Sequence, residues 1–121
     1  MINWISFAAS ARLMVPRGRS IPLPSPCTVL DVSAGGILIA SQEEYQQGDR
    51  LSILGVRLTR TEDAFNFNCY VRRVGGREMG FIRYGCQFET LSSREQDRLL
   101  RAIFTVQREE IRRQREKGEE I

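Results

Sequence analysis

Residues 64–74, AFNFNCYVRRV, place Phe65, Phe67, Cys69 and Val71 on one side of an extended chain and Asn66, Asn68, Tyr70 and Arg72 on the other. A strict two-residue period of this kind suits a half-buried β-strand and no helix. A strand so built needs partners along its edges and a core under its apolar side. The rest of the chain supplies candidates. ARLMV is a short apolar run closed by Pro16, and PCTVLDV and GGILIAS form a pair around residues 31–36. RLSILGVRLTR has Leu51 and Ile53 in phase, then Val56 and Leu58 after a shift at Leu54-Gly55, the mark of a bulge. Gly75-Gly76 and Met79-Gly80 mark a reversal, after which FIRYGCQFE returns as the last strand. IPLPSP, with Pro22, Pro24 and Pro26, reads as extended and cannot lie within a central strand. Gly48-Asp49 signals a turn.

From Leu91 the period changes. Ser92 followed by Glu95 is a capping-box signature. Leu99, Leu100, Ile103, Phe104, Val106 and Ile111 then recur at helical spacing and predict a single apolar stripe. Beyond Gln107 the helix is almost wholly charged, as expected of a solvated end that frays past Gly118. About six strands with Gly- or Pro-rich links and one amphipathic helix predict a mainly β fold. The expected form is an antiparallel barrel or rolled sheet, with the helix able to cap an open mouth. One domain is expected over 1–121, with the barrel at about 7–90 and the helix at about 92–117.

Composition narrows function more by exclusion than by assignment. The chain has 121 residues, 41 % hydrophobic and 27 % charged, which fits one modest core. No apolar run approaches the roughly 20 residues needed to span a bilayer. MINWISFAAS lacks the basic and long apolar regions of a signal peptide, so a cytoplasmic location is expected. Cys27, Cys69 and Cys86 are odd in number and widely spaced, a pattern of buried reduced thiols and not of a disulfide framework or zinc site. The sequence has no histidine. That removes His-activated nucleophiles, the usual transition-metal ligands and the side chain best suited to proton transfer near neutrality, so neither an enzyme nor a metal or other cofactor is expected. Net charge is +3, from 18 basic and 15 acidic residues, and much of the basic charge is arginine. Arginine grips phosphate and stacks on bases, so an anionic partner fits, as does a mixed surface kept soluble by charge. Because the basic residues of the tail alternate with Glu, they form no one-signed stripe, and nucleic acid is not the expected partner.

One link carries more chemistry than a turn requires. DVSAGG puts Asp31, Ser33, Gly35 and Gly36 between two apolar runs where Asn-Gly or Gly-Gly would serve. A carboxylate can accept from the N1–H and exocyclic amine of a guanine. A hydroxyl can bond the same ligand or brace the turn, and a glycine lets backbone approach a flat base. The same D-x-S-x-x-G spacing also suits an Asx- or ST-turn whose side chains satisfy their own loop amides.

CTVLDVSAGGIL, residues 27–38, resembles the D-x-S-x-x-G strand–turn–strand of PilZ domains. GCQFETLSSREQDRLLRAIFTVQREEIRR, residues 85–113, is similar to the last strand and C-terminal helix of the flagellar-brake subgroup, where G-C-x-F leads into a helix ending in a Q-R-E run. The resemblance covers about residues 7 to 117. It implies a six-stranded barrel with a C-terminal helix that binds cyclic di-GMP, a second messenger with two guanines and two phosphates, and regulates bacterial motility. Asp31, Ser33, Gly35 and Gly36 would be its ligand residues. It also implies a protein partner such as a flagellar motor component, with recruitment to the flagellar basal body and no membrane insertion.

The family's second motif, R-x-x-x-R just before the first strand, is missing: MINWIS has no arginine. Arg12 and Arg17 are five apart and flank ARLMV, and Arg19 follows them. Arg12, Arg17 and Arg72 are the candidate phosphate or guanine contacts. Arg73 and Arg83 share the late strands, but nothing in the sequence aims them at a ligand. Two arginines absent from a phosphate clamp would cost on the order of 3–6 kcal/mol, or two to four decades in affinity. Two expectations therefore stand side by side. One is a cyclic di-GMP receptor, with a trimmed upstream segment accounting for the missing arginines. The other is a degenerate PilZ module that acts as a protein-interaction domain without nucleotide.

Overall fold

The alternation at residues 65–71 becomes a strand in the computed structural model of the protein, which describes residues 7–14, 22–59 and 63–119. Six strands precede one helix: β1 (Phe7–Leu13), β2 (Ser25–Val32), β3 (Gly36–Ser41), β4 (Arg50–Val56), β5 (Phe65–Glu78), β6 (Phe81–Phe88) and α1 (Ser93–Glu119). They close as an antiparallel barrel in the order β1-β2-β3-β6-β5-β4. Closure gives each strand two neighbours, although beyond Val71 β5 pairs with β6 alone among the described residues. β2 starts at Ser25, and Pro26 is tolerated because pairing with β3 begins only at Cys27.

Inward-facing positions alternate along each strand and meet in one core, with Val29, Ile39, Leu51, Ile53, Val71 and Tyr84 fully buried. Phe67 stacks between Phe65 (centroids 5.5 Å) and Phe88 (4.3 Å). The buried Tyr84 also ties down the β3–β4 link: its hydroxyl accepts from the Tyr45 amide (2.9 Å) and donates to the Glu43 carbonyl (2.8 Å). Gly48 closes the same link at φ 92°, and the Asp49 carboxylate accepts from the Gln46 amide at 2.8 Å. Cys27, Cys69 and Cys86 are free and buried. Burial, with Cys86 close by, pushes the Cys27 thiol up to about 11. The hydrogen bond with Cys86, then burial, raises Cys69 as well. These thiols are packing residues.

Four register shifts interrupt the ladders. The one between Ile53 and Val56 is the expected bulge, with Gly55 at φ 74° and its amide donating to Asn66 Oδ1 at 3.0 Å. The others lie between Val29 and Asp31 in β2, and between Val71 and Arg73 and between Val74 and Arg77 in β5. The last corrects an expectation: Gly75-Gly76 does not reverse the chain. The pair is absorbed as a bulge, and β5 runs on to Glu78. The reversal is the two-residue turn Met79-Gly80, whose φ values of 53° and 83° match the left-handed turn that twisted hairpins favour. β1 likewise begins four residues earlier than ARLMV suggests, at Phe7, and ends at Leu13.

The helix starts where its cap does, the Ser92 hydroxyl accepting from the Glu95 amide at 3.2 Å. Leu99, Ala102 and Val106 are its buried face, and Leu99 and Ala102 join the barrel core. Arg98 sits over the Phe65 ring, 3.9 Å from its centroid, and donates to the Asp63 carbonyl. The first half of α1 is thereby held against the end of the barrel where β5 begins. The apolar stripe is narrower than its spacing predicts, because Phe104 and Ile111 are 59 % and 52 % exposed. No helix among the described residues is long and apolar enough to cross a membrane.

Candidate functional site

Asp31 owes its position to the β2 bulge. Cys27 and Val29 point into the barrel, and uninterrupted alternation would send Asp31 the same way. The extra residue between Val29 and Asp31 resets the phase, so Val32 is buried and Asp31 turns to the outer surface, opposite Leu38. A buried carboxylate would lose several kcal/mol of hydration, so the bulge is what makes an acid tolerable here.

The turn that follows is held by the Ser33 amide donating to the Gly36 carbonyl at 2.9 Å. The Ser33 hydroxyl donates to the same oxygen across a long 3.4 Å, and no hydrogen bond engages the Asp31 carboxylate among the described residues. The Asx-turn in which both side chains are consumed by their own loop is therefore not what forms. Gly35 is exposed, with open space where a side chain would go, while its carbonyl accepts from the Phe88 amide at 3.0 Å. Gly36 has a different reason. A Cβ there would lie 2.3 Å from the Cys86 carbonyl oxygen, so the close approach of β3 to β6 requires a glycine at this position.

β5 meets this turn across β6, and its bulge does the complementary work. Val71 pairs with Cys86 and Arg73 with Gly85, so the chain takes two steps on β5 for one on β6. Two consecutive residues, Arg72 and Arg73, consequently both emerge on the outside. Arg72 Nε donates to Gln87 Oε1 at 2.8 Å, and its guanidinium lies 5.7 Å from the Tyr70 ring centroid. Arg83 projects from the same outer row of β6 and reaches Glu78 at a loose 3.7 Å.

These groups surround one open hollow of about 590 Å³ on the barrel's outer face. Asp31, Ser33 and Gly35 form one rim, and Arg72, Arg73 and Arg83 the other. Gly36, Gly75 and Gly85 leave parts of the floor between them without side chains, and Leu38 and Gln87 line the rest. The volume is that of a small-molecule site. Of the arginines singled out from the sequence, Arg72 joins the hollow, whereas Arg12 is not among its lining residues. Arg12 pairs with Ser52 of β4, and the register Phe7↔Val29, Ala11↔Ser25 sets it at the end of β1 away from Asp31. Arg17 lies outside the described residues, as do Arg19 and MINWIS. Alternation along β5 hides Arg73. A consecutive Arg-Arg next to Gly-Gly was the available signal for a bulge there.

A mainly β barrel with a D-x-S-x-x-G turn on its outer wall defines the class, and comparison with known proteins agrees: residues 5–105 match the PilZ domain. The chain belongs to the PilZ family, a family of cyclic di-GMP receptors. Among solved structures it is similar to YcgR from Escherichia coli, whose crystal structure is of the complex with c-di-GMP, with TM-score 0.62 and 20 % identity. The match covers 95 % of this chain and 49 % of YcgR, so the chain spans about half the length of that protein. A comparison with curated proteins found no match.

Proposed function

We propose that this domain is a non-enzymatic receptor that binds cyclic di-GMP in the hollow between the Asp31 turn and the β5–β6 ladder. The observation that supports it best is the assembly, in one open hollow, of an unengaged carboxylate, a loosely bound hydroxyl and three guanidinium groups. Asp31 accepts from the N1–H and the 2-amino group of one guanine, a pair of hydrogen bonds that adenine and the pyrimidines cannot supply with the same donors. Ser33 exchanges its long contact for one to the ligand, and the glycine floor admits a planar base against the sheet. No acid–base residue is needed, in keeping with a chain that lacks histidine. Occupation of the hollow changes the charge and shape of the outer barrel face. That change is what a protein partner, such as a component of the flagellar motor, reads in the cytoplasm or at the flagellar basal body.

Calorimetric titration of cyclic di-GMP into the full chain tests the proposal. Saturable binding is expected for the wild type, weakened at least tenfold by Asp31→Ala with the circular dichroism spectrum unchanged. No heat from the wild type would reject it and favour a PilZ module that recognises a protein without nucleotide.

A further inference from the structure

Arg72, Arg73 and Arg83 stand together on one face of the β5–β6 ladder, and neither Arg72 nor Arg73 has a carboxylate within ion-pair reach among the described residues. Gathering three like charges raises the energy of the free protein unless an anion visits them. The bulge between Val71 and Arg73 keeps a second guanidinium out of the barrel interior, as the β2 bulge does for Asp31, and so sets Arg72 and Arg73 side by side on the outer face. The surroundings keep their reach clear. Gly85 lies opposite Arg73, and Gly75 is so close to the backbone of Arg83 that a Cβ would lie 3.2 Å from its carbonyl oxygen. Arg72 is already oriented, its Nε held by Gln87 and its guanidinium beside Tyr70. Its two terminal nitrogens are left for an acceptor. Among the described residues the acid on Arg83 is Glu78, 3.7 Å away, with 76 % of its side chain exposed and therefore easily displaced.

We propose that these three arginines are a phosphate clamp built into the barrel wall. It takes the phosphodiester groups of a ligand whose guanine is held at Asp31 and so requires no arginine ahead of β1. The clamp rests on the receptor reading for the identity of its ligand but not for its affinity for phosphate. Its backbone is carried by paired strands, so only the side chains have to be ordered on binding.

The test is titration of the full chain with two probes, cyclic di-GMP and inorganic pyrophosphate, at several salt concentrations. The wild type is compared with Arg72→Gln/Arg73→Gln, Arg83→Gln and the helix-surface control Arg101→Gln. Each clamp arginine removed is expected to weaken cyclic di-GMP by roughly tenfold or more. The salt dependence of Kd should be weaker in each clamp variant than in the wild type. Arg101→Gln changes neither. Pyrophosphate is expected to bind weakly and to lose its binding in the double variant. If the double variant and Arg83→Gln both bind cyclic di-GMP within twofold of wild type with the same salt slope, the clamp is wrong and the receptor reading stands. If the wild type ignores cyclic di-GMP but takes pyrophosphate through these arginines, the receptor reading fails and the clamp stands. Binding of neither probe rejects both. Should the double variant not fold, Arg83→Gln alone decides by the same criteria.

Discussion

A methyl group on Gly36 would sit 2.3 Å from the Cys86 carbonyl oxygen, a backbone atom that cannot swing aside, whereas one on Gly35 would meet nothing within 4 Å. The two adjacent glycines of one motif therefore separate experimentally. Gly36→Ala is expected to force β3 away from β6 and lower stability by about 1–3 kcal/mol. Gly35→Ala should stay within about 0.5 kcal/mol of wild type. Urea midpoints for the two variants check this, and equal midpoints would show that the strand contact is not what requires Gly36. Asp31 and Ser33 were legible as a pair because their residue types exceed what a turn needs. Arg73 was not, because reading β5 two residues at a time assigns it to the barrel interior. The extra residue that turns it outward leaves no mark in a simple alternation. The same reading of β2 buries Asp31, so at both positions a charged residue in the inward phase is the sign of the bulge.

The strands and the helix were legible from their periods, and their errors have physical causes. β5 was cut short at Gly75-Gly76 since paired glycines signal reversal, but here they form a bulge, a role glycine fills equally well. The helical spacing predicts a wider stripe than forms, because Phe104 and Ile111 satisfy the spacing while the barrel core takes in only Leu99 and Ala102, with Ile103 packed against it. Leu99→Ala is accordingly expected to cost about 2–5 kcal/mol, and Phe104→Ala less than about 1 kcal/mol, in chemical denaturation. A comparable loss at Phe104 would mean that it packs against the barrel. Where β6 passes toward α1, Arg50 of β4 grips Glu89 through two nitrogens, with Nη2–Oε2 at 2.9 Å. Those hydrogen bonds, aided by Tyr70 and opposed by partial desolvation, hold the Glu89 carboxyl below its ordinary value of 4.5. A carboxyl depressed in the folded state stabilises fully above its unfolded pKa, and that contribution disappears as pH falls through the folded value. The melting temperature of the wild type should therefore drop on acidification below about pH 4.5 more steeply than that of Glu89→Gln. Because the pair is partly solvated the difference will be modest, and parallel pH profiles would contradict it.

Closure of the barrel links these observations. Six strands and a capping helix could be read from residue patterns. Which loop would face which ladder could not, since that depends on the β1-β2-β3-β6-β5-β4 order, in which β6 lies between β3 and β5. That order carries the Asp31 turn and the arginines of β5 to opposite rims of one hollow, and the two bulges turn their side chains outward into it. It also leaves Arg12, on the β1–β4 side, out of the site. Backbone amide shifts of the full chain, followed by NMR during titration with cyclic di-GMP, test this arrangement most directly. The largest changes are expected together at Asp31–Gly36, Arg72–Gly75 and Gly85–Gln87, with Arg12 and its β4 partner Ser52 unmoved. Shifts centred on β1 and β4, or on α1, or no shifts at all, would contradict it.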